Sequence, residues 1–182
     1  MTIRFFAGFD LNANKLNDAD LIEYLYSNAK TMGADLDGIN QQSPSFFVWA
    51  VRDAFTAPLQ RVQIIKGFVD PNGNPQEQVF DVACSDGGMP DAETYRCPDN
   101  NAKVDISSCA FSQDVGAAEL KTFWTDPTFE VDQRAFYYVR ALENPTCRWS
   151  TWDALRNNVE PRSDIPKTIQ ERVWSSPIHY IP

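Results

Sequence analysis

Residues 134–153 read RAFYYVRALENPTCRWSTWD, and this run constrains the fold more than any other part of the chain. Its first half places a phenylalanine, two tyrosines and a valine in succession. Such side chains lose rotamer freedom against the turns of a helix and fit the open pleat of a strand. On a strand over 135–142, Tyr138 and Arg140 point to one side while Val139 and Ala141 point to the other. Asn144-Pro145 ends the run, because proline supplies no backbone donor to a ladder. The same chemistry recurs at 3–9, 45–52, 61–69, 77–83, 104–106 and 120–124. Asn72-Gly73 sits at the centre of the stretch joining 61–69 to 77–83 and suits a hairpin-like turn. About seven short strands, with turn signals between them and no βαβ alternation, predict a mainly β chain. The expected architecture is an antiparallel immunoglobulin-like β-sandwich.

One helix is expected beside these strands. Over 18–31, Leu21, Ile22, Leu25, Tyr26 and Ala29 fall on one face; Asn17 or Asp18 can cap the start, and Gly33 can end it. Residues 38–44 read as a polar loop. After Trp152 the chain changes character, with 160–166 looking like a linker. The tail still carries Val173, Trp174, Ile178, Tyr180 and Ile181, too apolar to float free. The expected organisation is therefore a β-sandwich domain over 1–149 and an extended C-terminal arm over 150–182. The arm would pack on that domain or on another module.

With 182 residues, 43% of them hydrophobic, the chain can bury one sizeable core. A net charge of −9 without clustered Lys and Arg argues against nucleic acid and anionic membrane surfaces. No apolar run reaches the roughly 18–20 residues needed to span a bilayer. No signal peptide is visible after Met1, which in an intact protein would mean the cytoplasm. The four cysteines point elsewhere. Cys84, Cys97, Cys109 and Cys147 form no CxxC pair, and three of them lie in polar sequence that a crosslink would order. The expected pairing is Cys97 with Cys109 and Cys84 with Cys147, against an alternative of four buried free thiols.

Catalytic chemistry finds little support in the residues. A metal-dependent phosphoesterase needs several His and Asp ligands, and His179 is the one histidine, so it reads as a partly packed ring in the tail. A Ser-His-Asp triad would also need it, and no GxSxG elbow is present. Asp70-x-Asn72-x-Asn74 has the alternate oxygen ligands of a calcium loop, but Pro75 stands where such a loop wants glycine, so a plain turn is favoured. The 25 acidic residues leave a carboxylate pair for sugar hydrolysis open without identifying one. No catalytic residue, metal ligand or cofactor is therefore assigned within the chain. Trp149 and Trp152, with Arg140, Glu143 and Arg148, suggest either a stacking platform for a sugar or aromatic ligand, or aromatic anchors and an arginine-carboxylate network holding the arm. Trp174 and Tyr180 join the anchor set.

Five literal segments carry a resemblance: residues 3–9 (IRFFAGF), 32–36 (MGADL), 61–70 (RVQIIKGFVD), 116–127 around GAAEL and WTDP, and the opening run at 134–153. In that order the chain resembles the C-terminal region of a bacterial family of unknown function, number 3604 in the domain-of-unknown-function series. The resemblance implies a longer, exported parent, placing the chain in the periplasm or outside the cell. The parent's N-terminal part resembles a metal-dependent hydrolase of the polymerase-and-histidinol-phosphatase type, where any divalent metal would sit. On this expectation the chain is a non-catalytic accessory region that docks on that module or self-associates through the same surface. The alternatives are a free-standing module binding carbohydrate or another polar ligand, and a self-contained hydrolase using carboxylates.

Overall fold

In the computed structural model, which describes residues 1–38 and 42–182, two β-sheets face each other. Along the chain come β1 (Thr2–Gly8), a 3-10 turn (Ala13–Asn17), α1 (Leu21–Asn28), β2 (Lys30–Thr31), β3 (Asp35–Asp37), β4 (Ser45–Val51), β5 (Leu59–Val69) and β6 (Pro75–Cys84). The hairpin β7 (Val104–Asp105) and β8 (Ala110–Phe111) follows, then β9 (Glu119–Thr125), β10 (Ala135–Glu143) and β11 (Thr146–Cys147). Last come α2 (Trp149–Arg156), β12 (Thr168–Ile169), β13 (Arg172–Trp174) and β14 (Ile178–Ile181). The smaller sheet has the order β2-β1-β4-β9, and the larger β3-β14-β10-β5-β6 with β13 also on β10. The pairings are antiparallel except β14 with β3, so the chain is mainly β and has the two facing sheets of a sandwich.

Alternation along the strands builds the core. Phe46, Val48 and Ala50 of β4 meet Val62, Ile64, Phe80, Tyr137, Val139 and Ala141 of the larger sheet. The Phe46 ring lies 4.5 Å from that of Tyr137, tilted by 43°, and fully burying one such ring stabilises by roughly 1.5–3 kcal/mol. The other face of β4 is also apolar. Phe47 joins Phe6 of β1 under Leu21 and Leu25, so α1 covers the outside of the smaller sheet. The helix is shorter than the expected span of 18–31. Ala29 is already extended, and Lys30 and Thr31 pair with Ala7 and Phe6 as β2, so ladder hydrogen bonds take the last turn. The loop expected over 38–44 lies partly outside the described residues.

Charge is buried at one end of this core. Lys66 of β5 lies opposite Tyr137 on one side and Gln78 on the other, and its parity turns it inwards with Ile64. Its Nζ lies 2.8 Å from Asp126 Oδ2, with both side chains at most 1% exposed. It also donates to Thr128 O at 2.8 Å. Tyr137 donates its hydroxyl to Asp126 Oδ2 at 2.8 Å, while Thr128 N donates to Oδ1 at 2.7 Å. Burial, then the Asp126 carboxylate beside it, pushes the Tyr137 hydroxyl far above the ordinary tyrosine value.

The disulfides are Cys84 with Cys97 and Cys109 with Cys147, which corrects the expected pairing of Cys97 with Cys109 and Cys84 with Cys147. After β6 the chain turns back along its own strand: Asp81 N donates to Tyr95 O, and Cys97 N donates to the Asp81 carboxylate at 2.7 Å. That return sets Cys97 beside Cys84. The β7–β8 hairpin then delivers Cys109 to β11. Two such bonds fit an oxidising compartment.

Residues 150–182, expected as an arm packing on the domain or on another module, lie against the sandwich with strands of their own. The boundary expected at 149/150 falls inside α2, β12 pairs with β11, and β13 and β14 pair with β10 in the larger sheet. Among the described residues, no helix is long and apolar enough to cross a membrane.

Candidate functional site

The outer face of the larger sheet is the most distinctive surface. Because Ala135, Tyr137, Val139 and Ala141 face the core, Phe136, Tyr138 and Arg140 face outwards. Register then lays out three rows. Trp174, Arg140, Gln63 and Asp81 lie side by side across β13, β10, β5 and β6. The next row is Tyr138, Ile65 and Val79, and the third is His179, Phe136, Gly67 and Glu77.

The polar row is locked by charge and amide geometry. Arg140 Nε donates to Gln63 Oε1 at 2.7 Å, and Gln63 Nε2 donates to Asp81 Oδ1 at 2.6 Å. Arg61 and Arg96 approach the same buried carboxylate at 3.8 and 3.6 Å. The aromatic row depends on a missing side chain: a Cβ at Gly67 would lie 2.2 Å from the Phe136 ring, so only glycine lets that ring lie against β5. Phe136 is 6.3 Å from Tyr138, with near-parallel planes, and 6.0 Å from His179. Burial, then the charge of Glu77, raises the Tyr138 hydroxyl above its ordinary value. Beside Phe136 runs an apolar groove of about 450 Å³, lined by Phe68, Val69, Glu77, Arg134 and His179 among others. Phe136 is 39% exposed, Val69 54% and Trp174 54%. Large apolar groups left in water beside a rigid polar row suit a contact surface.

The seven candidate residues disperse over the molecule. Arg140 and Trp174 share this face. Tyr180 is buried in the sandwich, its hydroxyl donating to Val131 O at 2.9 Å and its ring meeting the edge of Phe129. Trp149 and Trp152 lie on the exposed side of α2, whose Thr151 and Ala154 are buried, and Arg156 stacks over Trp152. Arg148 donates to Pro166 O at 3.2 Å, and Glu143 accepts from Thr56 Oγ1 at 2.6 Å. Among the described residues, the side chains of Arg140, Glu143 and Arg148 therefore share no hydrogen-bond partner. Phe136, His179 and Gly67 complete the face without having been singled out together. The alternation that separated Tyr138 and Arg140 from Val139 also reaches Phe136, but no local pattern pairs it with β14.

Asp70 shows why its segment is a turn. Its carboxylate accepts from Asn72 N and Asn74 N at 2.9 Å each, and these bonds, Asn74's first, hold its pKa below the ordinary value. Gly73 takes a φ of +83° in the bend. Among the described residues, no group of three or more His, Cys, Asp or Glu could hold a metal ion.

Glu143, 2% exposed, has its pKa raised by burial, with the Thr56 hydrogen bond opposing. A raised folded pKa means that its contribution to stability is complete below the ordinary glutamate value of about 4.3 and is lost as pH rises through the folded value. Glu143→Gln keeps the acceptor for Thr56 and removes that dependence. Its unfolding free energy relative to the unsubstituted chain should therefore rise between pH 4 and pH 7, read by urea titration at both pH values. A constant difference would refute the assignment.

The model of one protein family, described as "Protein of unknown function (DUF3604)", matches residues 1–182. No curated protein matches the chain, and no solved structure does.

Proposed function

The chain belongs to the DUF3604 family over residues 1–182, and from that membership we propose that it is the non-catalytic accessory β-sandwich of a larger, exported protein, docking on a metal-dependent hydrolase-like module of the same parent. The observation that carries this reading is the outer face of the larger sheet. There Trp174 exposes apolar surface in the fixed Arg140–Gln63–Asp81 row, and Phe136 and Val69 do so further along the same face. Aromatic side chains next to an arginine held in one geometry are the composition of an interface core. The two disulfides support a periplasmic or secreted setting. The hydrolase-like character of the partner rests on the resemblance of the longer proteins, and any divalent metal would belong to that module.

Binding between this chain and the remainder of its parent, measured by calorimetry, tests the reading. Saturable binding is expected. Trp174→Ala and Phe136→Ala together should weaken it at least about 30-fold, the scale of one interface hot spot. The far-ultraviolet circular dichroism should be retained. The isolated chain should show no phosphoesterase activity. Absence of binding, or binding indifferent to both substitutions, would overturn the proposal.

A further inference from the structure

A second surface, which meets the docking face where Arg172 lies over Trp174, has the build of a ligand site. Where β10 ends, the chain turns at Pro145 into β11, and the segment 167–171 runs alongside it. Glu143 N donates to Glu171 O, and Arg148 N to Lys167 O, each at 2.9 Å, on either side of the β11–β12 pairing. This zipper sets Arg148 and Arg172 along one polar cleft of about 480 Å³, with Gln60, Asp99, Thr168 and Gln170 among its lining residues. The Cys109–Cys147 bond ties down the residue before Arg148.

Both guanidinium groups are held from behind. Arg148 Nε donates to Pro166 O at 3.2 Å; Arg172 Nε donates to Gln170 O at 3.3 Å, and its guanidinium lies 5.9 Å from the Trp174 ring centre. Among the described residues, their terminal nitrogens have no protein acceptor, and neither arginine has a carboxylate within 4.0 Å. In a chain with 25 acidic residues and a net charge of −9, this cleft brings two arginine forks together. Its floor is rigid. Gln170 Nε2 donates to Gln60 Oε1 at 2.9 Å and to Glu143 O at 3.1 Å, and Gln60 Nε2 donates to Asn100 Oδ1 at 3.1 Å.

We infer that this cleft binds a hydroxylated carboxylate of the sugar-acid type. A planar fork whose Nε is already fixed presents its terminal N–H groups to a carboxylate with little further ordering. The Thr168 hydroxyl and the Asp99 carboxylate provide partners for ligand hydroxyls. Asp99 opposes a multiply charged inorganic anion more than a singly charged carboxylate.

Titration with D-glucuronate, D-glucose and inorganic phosphate, followed by backbone NMR shifts, tests this. Glucuronate should saturate with a dissociation constant on the order of 1 mM and move the Thr168 and Gln170 amides. Glucose and phosphate should each bind at least about tenfold more weakly, and added salt should weaken the glucuronate complex. Arg148→Gln and Arg172→Gln, each with an otherwise unchanged spectrum, should each lose at least about tenfold in affinity. No saturable glucuronate binding, equal binding of glucose or phosphate, or full affinity in both variants would overturn the inference.

Discussion

Asp126→Ala is expected to cost about 3–5 kcal/mol of stability, among the largest losses available to a single substitution in this chain. The carboxylate accepts from Lys66, Tyr137 and Thr128 in a site at most 1% exposed, so its removal strands an ammonium and a phenol hydroxyl away from water. Two charges brought together in the core do not by themselves stabilise a fold, because each loses several kcal/mol of hydration. What the pair enforces is consistency: once one charge is inside, the other must be. Lys66→Met combined with Asp126→Ala should therefore lose less than the sum of the single variants, by at least about 1 kcal/mol. Urea midpoints at unchanged denaturant slope provide the measurement. Strict additivity of the two substitutions would show that the side chains do not depend on each other.

Breaking the Cys109–Cys147 bond by replacing both residues with alanine is expected to cost about 4 kcal/mol, from the loop-closure entropy of its 38-residue separation. Cys84–Cys97 closes a separation of 13, and the same relation gives about 3 kcal/mol. The longer bond should also matter for function, since it anchors β11 and so the approach to Arg148. Thermal unfolding of the two double-alanine variants, compared with the oxidised chain, decides the order. A larger loss at Cys84 and Cys97 would mean that strain or residual structure in the unfolded chain outweighs loop length. Proteolysis should open the α2 and β12 region first in the Cys109 and Cys147 variant, because that region joins the sandwich through β11.

The strands were legible because they are local. Residues 45–51, SFFVWAV, alternate between two apolar faces, and their neighbours in sequence suffice to reveal a strand buried on both sides. Lys66 was legible in principle by the same parity, since it falls on the side of Ile64, but nothing near it indicates that the chain after β9 brings Asp126 to meet it. The expected helix over 18–31 failed at its end for a related reason. Ala29 continues the apolar pattern, yet β1 offers Lys30 and Thr31 ladder pairing from 23 and 25 residues away, at Ala7 and Phe6.

The cysteine pairing and the dispersal of the candidate residues have the same origin. Cys97 reaches Cys84 because an irregular loop returns along β6, and loops of that kind carry no period to read. Arg140, Glu143 and Arg148 lie within nine residues, and proximity in sequence suggested one network. The end of β10 and the turn at Pro145 send them to three places instead.

By itself, then, the sequence determined that the chain is mainly β, where its long strands run, that α1 exists, and which family it belongs to. These follow from side-chain alternation and literal order, which are properties of neighbouring residues. Only the tertiary structure decided the parallel β14–β3 pair, the disulfide connectivity, the buried Lys66–Asp126–Tyr137 cluster, the aromatic face over Gly67 and the two-arginine cleft. Each joins residues far apart in the chain, and the energy that selects such a contact resides in packing and hydrogen-bond geometry, which no local window of sequence contains.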